Sequence, residues 1–257
     1  MAETTPPLPD PRDLHREGFA ILHGIASFYH FIWYVHTRDP IPADALAWLC
    51  LALAIVVLWR PGDRRWLLAL AAAQVADIAW WMPEVPNHWL LTGLADLTLL
   101  AAYATTRGAP DTLARLREPM AWGVAVFYLY TGGWKLTEPW FDPAVSCGAA
   151  AWNRQAFQLG LPPGGLGALL AIYGTLVLEL LGPLALLWHR TRAPTAAVFA
   201  TFHLVLGLDL AQGFLNFSSV MFALLWLTLE PTTLRRLAPA WGSVRMVARG
   251  WTLLFLA

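Results

Sequence analysis

Long apolar stretches separated by short polar breaks run through most of this chain. Breaks such as Arg60-Pro61-Gly62-Asp63 combine charge with residues that interrupt helices. A helix needs about 20 mostly apolar residues to cross the hydrocarbon core of a bilayer. The pattern therefore predicts an all-α fold, a polytopic membrane bundle of about eight transmembrane helices. The eight stretches are 18–36, 43–59, 66–82, 88–106, 119–136, 165–188, 194–212 and 215–230.

Composition and charge placement agree with a membrane bundle. Of the residues, 58% are hydrophobic, only 13% are charged, and 15 are tryptophans. With eight spans, every Lys and Arg except Arg38, Lys135 and Arg154 falls on one side of the membrane. Because cytoplasmic loops carry the excess of basic residues, this side is predicted to be cytoplasmic and to hold both termini.

This topology divides the chain into three parts. They are a cytoplasmic segment 1–17, the transmembrane bundle 18–230 and a cytoplasmic tail 231–257, whose interleaved Arg and Trp residues fit either an interfacial helix or a frayed end. We expect an integral protein of the bacterial cytoplasmic membrane, in contact with membrane lipids. The net charge of zero gives no indication of a nucleic-acid partner.

Lys135 is the residue that most strongly suggests chemistry. It ends the fifth stretch, in the run Tyr130-Thr131-Gly132-Gly133-Trp134-Lys135, on the predicted outer side. A lysine near hydrocarbon loses hydration, which lowers its pKa and lets it act as a base. In the alternative reading, its ammonium simply extends to the interface. Asn87 and His88, at the start of the fourth stretch, fall on the same side.

Several ionisable residues lie inside the apolar stretches, where they are rare and costly. Glu179 precedes Pro183 by four residues, so that the proline leaves the carbonyl of Glu179 without its helical partner. Each such group is either functional or a neutral, hydrogen-bonded structural group. The ionisable residues inside the stretches are His23, His30, Asp77, Asp96, Glu179, His203 and Asp209. A haem held by the histidines among them is an alternative hypothesis, because haem iron accepts axial imidazoles. No zinc, nucleotide-binding or hydrolase motif occurs, and no metal site is predicted.

Four local matches, in order over residues 87–225, resemble the membrane domain of the vitamin K-dependent gamma-carboxylases and their bacterial relatives, the horizontally transferred transmembrane domain family. Each match is short, and their order carries the resemblance. They are Asn87-His88; the aromatic, glycine, Lys135-Leu136 and Trp140 segment; Leu178-Glu179-Leu180 before Pro183; and Phe202-His203 followed by Gly213-Phe214 and Phe217-Ser218-Ser219-Val220-Met221.

The resemblance implies a quinol-dependent oxygenase or carboxylase. In that family a lysine deprotonates reduced vitamin K, which then reacts with oxygen and becomes an epoxide. Lys135 matches this lysine, and His88 matches a histidine beside the reacting centre. The implied pocket contains Asn87, Trp134, Trp140, Glu179, His203 and Asn216. The implied cofactor is reduced vitamin K or menaquinol, a lipid quinone, with oxygen and carbon dioxide as co-substrates.

Two departures from the family limit what the resemblance implies. The family usually has two adjacent lysines, whereas Trp134 precedes Lys135 here, and the sequence ends at Ala257 without the large soluble region that helps to bind protein substrates. Carboxylation of a second substrate therefore stays open. The alternative hypotheses are a non-catalytic transporter or assembly factor and a haem-binding electron-transfer protein.

Overall fold

A computed structural model describes residues 10–37, 44–84, 87–109, 111–209, 214–240 and 246. Within these ranges the regular structure is entirely helical. The helices are α1 (Pro11–Thr37), α2 (Asp44–Trp59), α3 (Arg64–Trp81), α4 (Asn87–Thr105), α5 (Thr112–Arg115), α6 (Arg117–Trp134), α7 (Glu138–Phe141), α8 (Cys147–Gln158), α9 (Gly165–Leu169), α10 (Thr175–Leu187), α11 (His189–Gly207), α12 (Phe214–Leu227) and α13 (Pro231–Leu237). One π-helical turn, Leu170–Gly174, joins α9 and α10 into a continuous helix.

The prediction of about eight transmembrane helices is wrong. Among the described residues, one helix, Gly165–Leu187, is long and apolar enough to cross a membrane. A second would be added only if α12 and α13, which are bent by 115° at the break between them, formed one broken span.

The apolar stretches do form helices, but most of these helices lack the length or the composition of a span. The α2 helix has 16 residues and α12 has 14, fewer than a bilayer crossing needs. The longer α3 begins with two arginines and contains Gln74 and Asp77. A high apolar content is typical both of a helix that buries one face in protein and of a helix that enters lipid. The apolar stretches alone therefore do not distinguish these two kinds of helix.

The ends of the chain differ in part from the prediction. The α1 helix begins at Pro11 and not at residue 18. In the predicted tail, α13 buries Leu234 and exposes Arg235 and Arg236. The remaining tail arginines, Arg245 and Arg249, lie outside the described residues.

The chain divides into two compact units, and each has its own core. Unit 1 comprises Met1–Arg117 and Leu229–Ala257. Its helices pack in chain order, α1 on α2, α2 on α3 and α3 on α4. A Cβ at Gly24 of α1 would lie 3.0 Å from Leu58 of α2, so the missing side chain permits the close contact. In α4, Trp89 is buried and stacks on His30 at 3.6 Å between ring centroids.

Unit 2 comprises Glu118–Thr228, with α10 packed on α11 and α11 on α12. Arg192 fastens one end of it. This buried guanidinium donates two hydrogen bonds to the Glu118 carboxylate, at 2.7 and 2.9 Å, and others to the carbonyls of Leu186 and Leu187. The last carbonyls of a helix lack hydrogen-bond donors within the helix, and the Arg192 guanidinium provides such donors at the end of α10.

Candidate functional site

Lys135 and Glu179 form an ion pair in unit 2. The Lys135 Nζ atom lies 2.5 Å from Glu179 Oε2. The Glu179 side chain is 8% exposed and that of Lys135 is 22% exposed, so the pair is largely removed from water. The Lys135 ammonium also lies 5.2 Å from the centre of a Trp140 ring, within the range of a cation–π contact.

A glycine brings these two residues together. Gly132, one helical turn before Lys135, faces α10 at Glu179. A Cβ at Gly132 would lie 3.1 Å from the Cβ of Glu179 and 3.3 Å from its backbone carbonyl carbon. A side chain here would have to displace Leu180 and Glu179 by a few tenths of an ångström, so glycine favours this close approach of α6 to α10. Lys135, just after α6 ends at Trp134, then reaches the carboxylate from that helix end.

The ion pair lies at the wall of a cavity of about 490 Å³. Small-molecule pockets typically have volumes of roughly 300–1,000 Å³, so this cavity accommodates a ligand of moderate size. Apart from the pair, its wall is mostly small or apolar and comes from α7, α8, the Gly165–Leu187 helix, α11 and α12. The other lining residues are Trp140, Cys147, Gly148, Ala151, Trp152, Gln155, Gly167, Leu170, Ala171, Gly174, Thr175, Phe202, Val205, Leu206, Phe214 and Phe217.

Two tryptophans in the wall rest on glycines. The Trp140 ring lies 3.3 Å from where a Cβ of Gly148 would be, and its Nε1 donates to the Ile172 carbonyl at 3.2 Å. A Cβ at Gly167 would overlap the indole of Trp152. Each ring is therefore seated against backbone, which limits its movement and fixes the shape of the cavity.

An ion pair beside an apolar cavity can move protons. Burial disfavours charged groups. It therefore brings the free energy of a neutral amine beside a carboxylic acid closer to that of an ammonium beside a carboxylate. A ligand hydroxyl in the cavity would meet a group able to accept its proton. It would also meet a cation able to stabilise the resulting anion.

Of the predicted pocket residues, the structure brings together Lys135, Glu179 and Trp140. His203 is fully buried behind the wall, and its Nε2 lies 2.6 Å from the Tyr128 hydroxyl. Burial lowers the pKa of His203 to about 3, so this imidazole is neutral at ordinary pH. Its neighbours on α11, Phe202, Val205 and Leu206, line the cavity and His203 does not.

The other predicted residues do not line this cavity. Trp134 is 67% exposed, and Asn216 is half-buried on α12, where Phe214 and Phe217 reach the wall. His88 belongs to unit 1, and burial lowers its pKa to about 4. Asn87 opens α4, and its side chain is outside the described part of the structure.

The predicted site residues include none from α8. This helix supplies Cys147, Gly148, Ala151, Trp152 and Gln155 to the wall. Two hydrogen bonds fix it to the end of α11, from Arg154 to buried Asp209 at 2.9 Å and from Gln155 to the Val205 carbonyl at 2.8 Å. Its small residues and single tryptophan were the available signal.

The histidines of the haem hypothesis have protein neighbours. In unit 1, His23 Nε2 lies 3.1 Å from Asp96 Oδ1, and the nearby Gln74 amide donates to Ser27 at 2.6 Å. His30 stacks on Trp89. Across the described residues, no group of three or more His, Cys, Asp or Glu side chains is arranged to hold a metal ion.

The chain matches no protein-family model, no curated protein and no solved structure. The carboxylase resemblance therefore stays a prediction. A function has to be argued from the chemistry of the site.

Proposed function

We propose that unit 2 is a lipid-associated enzyme that takes a reduced naphthoquinone into its cavity and removes a hydroxyl proton with Lys135. The observation that carries the proposal is the Lys135–Glu179 pair at the wall of an otherwise mostly apolar cavity. A basic group with a protonatable partner, next to space for a flat apolar ring, suits an acidic hydroxyl on an aromatic molecule.

The donor set and the volume fit such a ligand. Two aromatic rings, Trp140 and Trp152, offer flat surfaces within a cavity of about 490 Å³. A bound naphthoquinol supplies an acidic hydroxyl and the electrons for epoxidation, in which one quinol and one oxygen molecule give one epoxide and one water.

The protein side of the proton transfer needs both members of the pair. Lys135 first passes its proton to Glu179, so that the ammonium and carboxylate become an amine and a carboxylic acid. The Lys135 amine then accepts the proton of the ligand hydroxyl on its lone pair. It becomes an ammonium again, next to the new negative charge. Glu179 thus acts as the proton acceptor that prepares Lys135 to be a base.

Exposed apolar surface supports the association with lipid. Only 28% of the most apolar window of the Gly165–Leu187 helix is buried within the protein. Its exposed large residues recur along the whole length of the helix. They are Leu166, Leu169, Leu170, Tyr173, Val177, Leu181 and Leu184. Soluble monomers rarely leave an apolar surface of this length in water. We propose that lipid covers it and delivers the quinol.

The test is epoxide formation by the purified protein in lipid nanodiscs, supplied with menaquinol or reduced vitamin K and oxygen and followed by mass spectrometry. Lys135→Met removes the amine, and Arg235→Met removes an exposed cation from α13 as the matched control. We expect epoxide from the wild type and Arg235→Met and none from Lys135→Met. Equal product from Lys135→Met would overturn the role of the lysine. No product from folded wild type with either quinol would overturn the reaction.

A further inference from the structure

We infer that the cavity opens sideways beside the π-helical turn Leu170–Gly174, and that its ligand carries an apolar chain which leaves through this opening. The inference rests on the proposed function and narrows its substrate class. The ring of the ligand lies inside the cavity with Lys135, and the chain lies outside, on the exposed surface of the Gly165–Leu187 helix. The chain therefore contributes to binding at a place where the ring does not.

Some residues of the cavity wall are also exposed to the surroundings. Among the described residues, four both line the cavity and are exposed: Cys147 at the start of α8, Leu170 and Gly174 at the two ends of the π-helical turn, and Val205 on α11. Leu170 is 62% exposed. A residue that lines a cavity and is largely exposed lies where the cavity meets the surroundings. We call the gap beside Cys147, Leu170 and Gly174 the opening.

The residues that border the opening come from two segments in contact. A Cβ at Gly148 of α8 would lie 3.4 Å from the carbonyl oxygen of Ala171 in the π-helical turn. Cys147 precedes Gly148 in the chain, and Leu170 precedes Ala171. The exposed wall residues of the two segments are therefore neighbours, and they border one opening.

Gly174 leaves space at the edge of the opening. A Cβ at Gly174 would have no neighbouring heavy atom within 4 Å. Its dihedral angles, φ −63° and ψ −42°, are those of an ordinary helical residue, so the backbone itself does not require glycine here. The space over Gly174 is therefore accessible to a ligand, and a larger side chain at this position would fill it.

The surface beyond the opening is apolar. Tyr173 and Val177 are 50% and 56% exposed and do not line the cavity, so they face the surroundings. Tyr173 adjoins Gly174, and Val177 lies about one turn further along the helix. The one charged residue of the Gly165–Leu187 helix, Glu179, is buried. An apolar chain that leaves the cavity here meets carbon and no charge, which is the environment that favours it.

Gly174→Leu tests the opening, and Gly123→Leu is its matched control. Gly123 is exposed on α6, a Cβ there would also have no neighbouring heavy atom within 4 Å, and it does not line the cavity. Both variants thus add the same side chain to an exposed helix. The two probes share one ring: 2,3-dimethyl-1,4-naphthoquinone has no chain, and 2-methyl-3-geranyl-1,4-naphthoquinone has one. Neither has a free ring position for thiol addition between the carbonyls.

Cys147 reports occupancy of the cavity without turnover. It is exposed and lines the cavity, whereas Cys50 is fully buried, so maleimide should label Cys147 selectively. The dependence of protection on probe concentration gives a dissociation constant. Partition of the geranyl chain into detergent is the same for every variant, so it cancels when variants are compared with the wild type.

We expect Gly174→Leu to weaken binding of the geranyl probe by about 5- to 100-fold, as a clash with one added side chain warrants. The dimethyl probe should keep its dissociation constant, because its ring lies wholly inside the cavity. Gly123→Leu should bind both probes as the wild type does. If Gly174→Leu does not fold, Leu170→Trp, which adds bulk at the same opening, is measured instead with the same expectation.

Three results would overturn the inference. Equal factors for the two probes in Gly174→Leu, with the wild type still forming epoxide, remove the chain from the opening and leave the proposed function standing. Weakening of the geranyl probe in Gly123→Leu to the same extent assigns the effect to the added leucine and not to its position. Failure of both probes to protect Cys147 in the wild type overturns the proposed function, and the inference with it.

Discussion

Gly132 and Gly133 are neighbours with opposite surroundings, and exchanging each for alanine tests the geometry of the site. A Cβ at Gly132 would lie 3.0 Å from Leu180 Cδ2, 3.1 Å from Glu179 Cβ and 3.3 Å from the Glu179 carbonyl carbon. A Cβ at Gly133 would have no heavy atom within 4 Å. The leucine tip can rotate away from an added methyl group, but the backbone at Glu179 cannot. In Gly132→Ala, therefore, α6 has to move away from α10.

The expected magnitude follows from two opposing terms. Alanine favours a helix over glycine by up to about 1 kcal/mol, and both variants gain this term. Gly132→Ala also pays for overpacking, about 1–3 kcal/mol. The difference between the variants isolates the overpacking. At roughly 2–4 °C per kcal/mol for a chain of this length, Gly132→Ala should melt about 2–12 °C below Gly133→Ala.

Thermal unfolding followed by circular dichroism gives the stability difference, and epoxide formation gives the functional one. We expect Gly133→Ala to equal or exceed the wild type in stability and to keep its turnover. Gly132→Ala should lose stability and part of its turnover, because a shift of a few tenths of an ångström between α6 and α10 lengthens the contact between Lys135 and Glu179. Equal melting temperatures for the two variants would refute the close approach of α6 to α10. The same result would also refute the explanation of how the ion pair between Lys135 and Glu179 forms.

Three further predictions concern the ion pairs and the buried histidine of unit 2. Lys135→Met should destabilise the protein by about 1–3 kcal/mol because it leaves Glu179 buried without its partner, and the double variant with Glu179→Gln should lose less than the two single losses combined; additive losses in chemical denaturation would contradict the pairing. Arg192→Met should cost about 1.5–3 kcal/mol, since it removes the charge-assisted hydrogen bonds and uncaps α10, while Glu118, whose side chain is 57% exposed, stays solvated; a loss below about 0.5 kcal/mol in the same assay would show that the Arg192 contacts are unimportant. The pKa of His203 is about 3 in the folded state, against about 6.5 in the unfolded state. The unfolded state therefore binds more protons, and stability should fall as the pH drops below about 6.5, by up to about 1.4 kcal/mol per pH unit. His203→Gln should flatten this slope between pH 7 and 5, and an identical slope would show that another group causes it.

Helices were predictable from this sequence, and their environment was not. The stretch at 88–106 corresponds to α4, Asn87–Thr105, because a run of apolar residues without glycine or proline clusters favours a helix wherever it is buried. One part of the same run packs on protein, as the buried Trp89 and Leu99 of α4 show, whereas Leu94 and Leu97 are exposed. Counting apolar residues therefore overstated the number of membrane spans.

The candidate site was predictable as residues but not as an arrangement. Lys135 and Glu179 were singled out separately, because charge inside an apolar stretch is costly and asks for a reason. Their contact depends on the packing of Gly132 against α10, and the spacing of residues around Gly132 in the sequence does not indicate this packing. The contact of Trp152 with Gly167 likewise joins two helices, and the pattern of apolar residues in either helix does not predict it.

The π-helical turn Leu170–Gly174 makes the cavity wall depend on chain length at one point. Such a turn holds one residue more than an α-helical turn, so the residues before and after it are out of phase by about 100° relative to a regular helix. Gly167 lies before the turn and Glu179 after it, and both face the cavity. Deleting a single residue here would leave a continuous helix but rotate Glu179 off the face that Gly167 shares. One codon thus separates a helix that carries the candidate site from a regular helix that does not, which makes the turn a position where evolution could gain or lose the proposed activity in one step.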